Sequence, residues 1–197
     1  MMDMNIIVKK YGGSSLSSPE RIQEAARKII ASKKRDDRIV VVCSAMGNST
    51  DHLMNLASKV SNNPDKRDLD LLISTGEVVT SALMALALTS LNYRAISLTG
   101  AQAGIHTDSN YGMARIDNVD PERVLKELDK DTIVTVAGFQ GVSSGSDTTT
   151  LGRGGSDITA IALAISVKAS ICEIYTDVDG IYTADPRILP QARKLTE

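Results

Sequence analysis

Continuous apolar, β-branched runs alternate along this chain with stretches of helical periodicity, and most of the runs end in a cluster of glycine, serine or asparagine. Asn5 to Lys9 reads as a short strand, followed by the loop Lys10-Tyr11-Gly12-Gly13-Ser14-Ser15. Ser18-Pro19-Glu20 then supplies a cap and a proline at the first helical position, opening a helix to about Lys34. The same unit recurs at once. Arg38 to Cys43 is a buried-type strand, Ser44 to Asp51 a small-residue loop, and a helix runs on to about Val60. Asn62-Asn63-Pro64-Asp65 breaks the chain before a long helix from about Arg67 to Ser90. Leu69, Leu72, Ile73, Gly76, Val79 and Leu83 recur there at helical spacing, with Asp70, Ser74, Glu77 and Ser81 on the opposite face.

The second half continues the pattern. Ala95 to Leu98 is a strand, residues 105 to 117 suit a small hairpin around Asn110-Tyr111-Gly112, and Asp120-Pro121-Glu122 starts a helix to about Leu128. Thr132 to Ala137 is a buried strand ending in Gly138-Phe139-Gln140-Gly141. Ser143 to Thr150 is polar and reads as a mobile loop, and a helix from Ser156 to about Lys168 is so apolar that burial on most sides is expected. Ile171 to Tyr175 is the last strand. Repetition of strand, small-residue loop and helix predicts an α/β sandwich on a mostly parallel sheet, with the loops gathered at one edge.

Bulk properties narrow the function without deciding it. A chain of 197 residues, 42% hydrophobic and 23% charged, is enough for one packed domain. Net charge is −2 with lysines and arginines dispersed, which gives nucleic acid and anionic lipid no basic stripe, and the single Phe and absent Trp argue against base stacking. The N-terminus lacks a secretory pattern, and no stretch approaches ~20 uninterrupted apolar residues, so a cytoplasmic protein is expected. Cys43 and Cys172 lie in apolar runs and read as free thiols, while His52 and His106 lack metal-ligand spacing.

Candidate chemistry concentrates in Leu151 to Ala160, Leu-Gly-Arg-Gly-Gly-Ser-Asp-Ile-Thr-Ala. Gly152, Gly154 and Gly155 allow crowded backbone conformations, and the helix start adds free N–H groups and a positive dipole end, so the turn suits an anion. Within it, Arg153 can clamp a carboxylate or phosphate and Asp157 can orient a cation. A dinucleotide fingerprint would need glycine where Asp157 stands, and no Walker-type loop occurs. Lys10 enters from the first strand end. Periodicity alone puts Glu77 on a solvated polar stripe, although a stripe facing a cleft would look the same, and Gly76 beside it hints at close packing. A lysine, an arginine and several carboxylates on loops at strand ends would suit phosphate transfer to an acidic acceptor.

Four ordered motifs carry a more specific resemblance: Lys-Tyr-Gly-Gly-Ser-Ser-Leu at 10–16, Ser-Thr-Gly-Glu at 74–77, Leu-Gly-Arg-Gly-Gly-Ser-Asp at 151–157, and Thr-Asp-Val-Asp-Gly-Ile-Tyr-Thr-Ala-Asp-Pro-Arg at 176–187. Together they resemble the catalytic domain of the aspartate kinases, within the amino acid kinase family, with Tyr11 and Ser14 as mild departures. That resemblance implies a three-layer α/β sandwich of the amino acid kinase fold, in which residues 1–197 form the N-terminal part of a kinase domain that in the family continues further and is usually followed by ACT regulatory domains. It implies ATP-dependent phosphorylation of the side-chain carboxylate of L-aspartate, the first step toward lysine, threonine and methionine, in a protein that generally associates into oligomers. Lys10, the N–H groups of Gly12 and Gly13 and the Ser14 hydroxyl would hold the transferring phosphoryl group. Asp157 would orient Lys10 or the hydration shell of magnesium, which ATP oxygens mainly hold. Arg153 would take the α-carboxylate of aspartate and Glu77 its α-ammonium, with Thr50 and Ser156 nearby. Tyr11, Ser44, Thr176, Asp177, Tyr182, Asp185 and Arg187 would contact the nucleotide.

Two alternatives remain at this point. A relative acting on glutamate would share the amino-acid clamp, and a non-catalytic nucleotide-binding or assembly fragment would keep affinity without turnover.

Overall fold

The computed structural model describes residues 5–176, 183, 189 and 191–193. Its centre is a parallel sheet built from β1 (Asn5–Tyr11), β2 (Asp37–Cys43), β3 (Ala95–Leu98), β6 (Ile133–Ala137) and β9 (Ile171–Tyr175), in the order β3-β6-β2-β1-β9. Every neighbouring pair in it is parallel. A second sheet of β4 (Ile105–Thr107), β5 (Ile116–Val119), β7 (Gln140–Ser143) and β8 (Thr148–Thr150) runs in the order β5-β4-β7-β8.

Strand alternation sorts the core into two halves. Ile39, Val41 and Cys43 face one side, where they pack with α1 (Pro19–Ser32) and α3 (Lys66–Ser90) through Ile22, Ile29, Met84 and Leu88. Val40 and Val42 face the other, against α4 (Glu122–Asp129) and α5 (Gly155–Ser166) through Val124, Leu128, Ala160 and Leu163. Helices therefore cover both faces of the parallel sheet, as the repeating units predict. α2 (Ser49–Val60) packs along α3. Helix starts follow the local chemistry: Ser18 accepts from the Arg21 N–H at the head of α1, and Asp65 accepts from the N–H groups of Arg67 and Asp68 at the head of α3.

Four expectations change. β1 extends to Tyr11, so Lys10 belongs to the strand and not to the loop after it. The stretch 143–150 is not a mobile loop but the turn and second strand of an antiparallel hairpin, β7 with β8, because a carboxylate distant in sequence, Asp70, binds its end. Helix α5 packs on the sheet through one side only and leaves Ile158, Ile161 and Ile165 exposed, since an all-apolar sequence does not distinguish one packed side from several.

The fourth change concerns α3. Its polar stripe is not solvated: Asp70, Ser74, Glu77 and Ser81 are all buried, whereas Val79 and Leu86 are exposed. Each stripe residue has a partner across the interface. The Gln140 side-chain amide donates to the Ser74 carbonyl (2.8 Å), Ser81 Oγ meets Ser97 Oγ (2.9 Å), and the Thr135 hydroxyl donates to the Ser81 carbonyl (2.8 Å). By length and composition α3 could cross a membrane, but half of its most apolar window is buried inside the protein.

This inverted α3 makes a stability prediction. Met84→Ala, at a fully buried position, should destabilise the fold by about 2–5 kcal/mol, and Leu86→Ala two residues on should change it by less than about 0.5 kcal/mol, as read by urea unfolding.

Candidate active site

The carboxyl ends of parallel strands are where open α/β sheets collect ligands, and here the ends of β1, β2 and β6 meet the N-terminus of α5 around a cavity of about 310 Å³. Lys10, Gly13, Ser44, Thr50, Glu77, Arg153, Ser156 and Asp157 all line it. Residues from four separate stretches, 10–13, 44–50, 77 and 153–157, thus converge.

Alternation along β1 decides which lysine enters. Lys10 shares a face with Ile6 and Val8 and points toward α5, where its Nζ lies 2.7 Å from Asp157 Oδ1. Lys9 and Tyr11 take the opposite face. There Lys9 pairs with Glu173 (2.5 Å) and donates to the Tyr175 hydroxyl oxygen (3.3 Å), while the Tyr11 ring stacks on Tyr175 with centroids 4.6 Å apart. Burial pulls the Lys9 ammonium down, but its bonds to Glu173 and Tyr175 outweigh that and hold its pKa above the ordinary lysine value.

The loop after β1 runs close beneath the cavity. A side chain at Gly13 would come within 2.8 Å of the Ala45 carbonyl oxygen, and the Gly13 carbonyl accepts from the Gly47 N–H at 3.0 Å. The Gly12 N–H donates to the Tyr175 carbonyl (3.2 Å), and Ser14, exposed in a short 3-10 turn, lies outside the cavity lining. Tyr11 and Thr176 line a separate hollow beside α1. Asp177, Tyr182, Asp185 and Arg187 lie outside the described residues.

Glu77 reaches the cavity from α3 because Gly76 lets that helix approach the loop after β2. A Cβ on Gly76 would meet Ala45 Cβ at 2.9 Å, and the adjacent Ala45 N–H donates to Glu77 Oε1 (3.2 Å). Glu77 is 4% exposed and its Oε2 is buried with no partner. Desolvation, only partly offset by hydrogen bonds from its own backbone and that of Ala45, pushes its pKa up to about 7. A buried carboxylate with a spare oxygen facing a cavity is a receptor for a cation or a hydrogen-bond donor.

The glycine-rich turn forms the opposite wall. Gly152 (φ +74°) and Gly154 (φ +77°) adopt left-handed backbone, and Gly154 is the N-cap of α5 without any side-chain cap. Neither Ser156 nor Asp157 caps the helix, which leaves Asp157 for Lys10. Arg153 is exposed, with no hydrogen bond or ion pair among the described residues, and stands at the cavity wall.

Phe139 is a lining residue that the sequence reading passed over. It follows Gly138 at the end of β6 and has φ +66°, an unusual backbone for a bulky side chain. Its N–H donates to the Thr159 hydroxyl (3.1 Å) and its carbonyl accepts from the Leu151 N–H (2.9 Å), so it joins the end of β6 to α5 and to the glycine-rich turn. An aromatic flanked by small residues at a strand end was the available signal.

The arrangement is cationic at Lys10 and Arg153, anionic at Glu77 and Asp157, and lined by backbone that crowds close. Such a site suits a phosphorylated donor together with a zwitterionic acceptor. Among the described residues no group of three or more His, Cys, Asp or Glu side chains is placed to hold a metal ion.

The chain belongs to the amino acid kinase family, whose family model matches residues 5–197. Within that family its similarities are specific. It is 54% identical to the aspartokinase of Geobacillus stearothermophilus, over 98% of this chain and 48% of that protein, and 52% identical to aspartokinase 2 of Bacillus subtilis, over 98% and 47% respectively. Among solved structures, aspartate kinase from Synechocystis superposes with a TM-score of 0.77 at 47% identity, over 95% of this chain and 31% of that one. E. coli aspartokinase III in complex with aspartate and ADP superposes with a TM-score of 0.83 at 26% identity, over 96% and 53%. The chain spans about half the length of the curated relatives it matches.

The burial of Glu77 sets a pH dependence. Its folded pKa of about 7 lies above the ordinary 4.5, so the stability held by the protonated form is fully present below about pH 4.5 and is lost as pH rises through about 7. Glu77→Gln should therefore melt at the same temperature as the parent at about pH 4.5 and roughly 5 °C higher at about pH 8 without ligand, as read by calorimetry. An equal difference at both pH values would show that the carboxylate is not titrating in this range.

Proposed function

We propose that this cavity transfers the γ-phosphoryl group of ATP to the side-chain carboxylate of L-aspartate, giving 4-phospho-L-aspartate and ADP. The observation that supports it most directly is one cavity holding the Lys10–Asp157 pair, the half-unpaired Glu77 carboxylate and the unpaired Arg153 guanidinium. The likeness to a structure bound to aspartate and ADP supports the same substrates.

In this reading a side-chain carboxylate oxygen of aspartate attacks the γ-phosphorus, and the bond from that phosphorus to the bridging oxygen of ADP breaks. The attacking group is already ionised near neutral pH, so no general base is required. The protein contributes position and charge. Lys10, held on a rigid strand and aimed by Asp157, neutralises charge developing on the transferring group, with the backbone of Gly12 and Gly13 alongside. Magnesium, carried by the nucleotide, would neutralise phosphate charge. Glu77 receives the α-ammonium and Arg153 the α-carboxylate, while Ser44, Thr50 and Ser156 complete the lining. Nucleotide contacts fall to Tyr11, Ser14 and Thr176 and, beyond the described residues, to Asp177, Tyr182, Asp185 and Arg187. The cytoplasm, an oligomeric assembly and a place at the start of lysine, threonine and methionine synthesis belong to the same proposal.

Hydroxylamine trapping of the acyl phosphate tests it. The intact protein carrying these residues should yield aspartyl hydroxamate with magnesium-ATP and L-aspartate, and little product with L-glutamate. Lys10→Ala should lower kcat by about 10²–10³ with the fold intact, and Arg153→Ala should raise the KM for aspartate by about tenfold or more. Equal product from glutamate would reassign the acceptor. No product from any amino acid would identify a binding or assembly module.

A further inference from the structure

Asp70 is the most deeply buried acid on α3, 1% exposed, and lies two helical turns, or about 10 Å, before Glu77 on the same stripe. It is not part of the cavity lining. Both of its oxygens nevertheless accept hydrogen bonds, and among the described residues the three donors all come from the far side of the site. The Thr150 N–H donates to Oδ2 (2.8 Å), the Thr150 hydroxyl to Oδ1 (2.8 Å), and the Gly112 N–H to Oδ2 (2.9 Å).

Those two residues bracket the glycine-rich turn. Thr150 ends β8 and is followed directly by Leu151, Gly152 and Arg153, while the segment at Gly112 and Met113 backs onto Gly152, within 3.5–3.8 Å of where its Cβ would stand. The Ala114 N–H also donates to the Thr150 carbonyl (2.8 Å). Because Gly152 and Gly154 are left-handed and the helix carries no side-chain cap, the turn has little rigidity of its own. Its position is taken from what holds the residues that lead into it, Thr150 through Asp70 and Leu151 through the Phe139 carbonyl (2.9 Å).

We propose that Asp70 is a positioning residue that references Arg153 to the same helix that carries Glu77, and so fixes the spacing between the two groups that grip the amino-acid acceptor. This rests on the acceptor assignment above. Losing Asp70 should act locally, because Gln140 on the neighbouring strand still anchors the hairpin to α3 through the Ser74 carbonyl (2.8 Å). The exposed Arg67–Asp147 pair (2.7 Å) ties the hairpin tip to α3 but contributes little on its own.

The test is steady-state kinetics on the intact protein carrying Asp70→Ala, Asp70→Asn or Thr150→Val, with folding checked by circular dichroism and thermal melting. Asp70→Ala should raise the KM for L-aspartate by about tenfold or more while the KM for ATP and kcat stay within about threefold. Thr150→Val, which removes one bond of the three, should give a smaller rise of the same kind, and stands in if Asp70→Ala does not fold. Asp70→Asn should restore most of the affinity, since its amide oxygen can accept both N–H donors and the Thr150 hydroxyl can turn to accept from the amide. The inference is overturned if the two KM values move together, if only kcat falls, or if a folded Asp70→Ala or Thr150→Val protein keeps the parent KM for aspartate. A parent protein that makes no aspartyl phosphate would instead overturn the acceptor assignment, and this inference with it.

Discussion

Two consecutive lysines near the carboxyl end of a buried strand impose the constraint on which the rest depends. Lys9 and Lys10 must point to opposite faces of the sheet, so a carboxylate has to be waiting on each. Glu173 on the neighbouring strand answers Lys9, and Asp157 on the helix of the other layer answers Lys10. A shift of one residue in the register of β1 would exchange the two ammonium groups and put the Tyr11 ring among α5 side chains. Charge pairing thus reinforces the apolar pattern in locating one lysine at the cavity floor and keeping its neighbour out of it.

The polar stripe of α3 plays the complementary part. A helix in the core with four polar residues on one face costs desolvation at each, and each is compensated by a partner on β3, β6, the β7–β8 hairpin or the loop after β2. Glu77 is the exception in degree, since one oxygen stays unpaired. Stability is surrendered there, and a cation or hydrogen-bond donor entering the cavity would recover it.

Much of this was legible in the sequence because strand, small-residue loop and helix repeat with little interruption. The layers, the parallel sheet and the convergence of residues 10, 44, 50, 77 and 151–157 follow from that order together with the motifs. What escaped depends on partners remote in sequence. The burial of the α3 stripe needs β8 and β6, which lie dozens of residues away, and a helical wheel does not distinguish a polar face meeting solvent from one meeting another polar surface. Ser143 to Thr150 looked like a loop because its threonines carry no apolar signature, although they face Asp70 and Thr107. The exposed isoleucines of α5 show the converse, an apolar helix that finds only one packing surface.

The order of strands in the sheet also bears on how the chain is made. β1 is the first and β9 the last of the described strands, yet they are hydrogen-bonded neighbours, so that until residues 171–175 emerge from the ribosome β1 lacks this partner and is left as an edge of the β3-β6-β2-β1 sheet. An open, β-branched edge is a template for pairing with another nascent chain. Two adjacent ammonium groups on that edge, Lys9 without Glu173 throughout and Lys10 without Asp157 until α5 emerges, repel such a partner during the interval. The lysines that organise the finished site therefore guard the unfinished one.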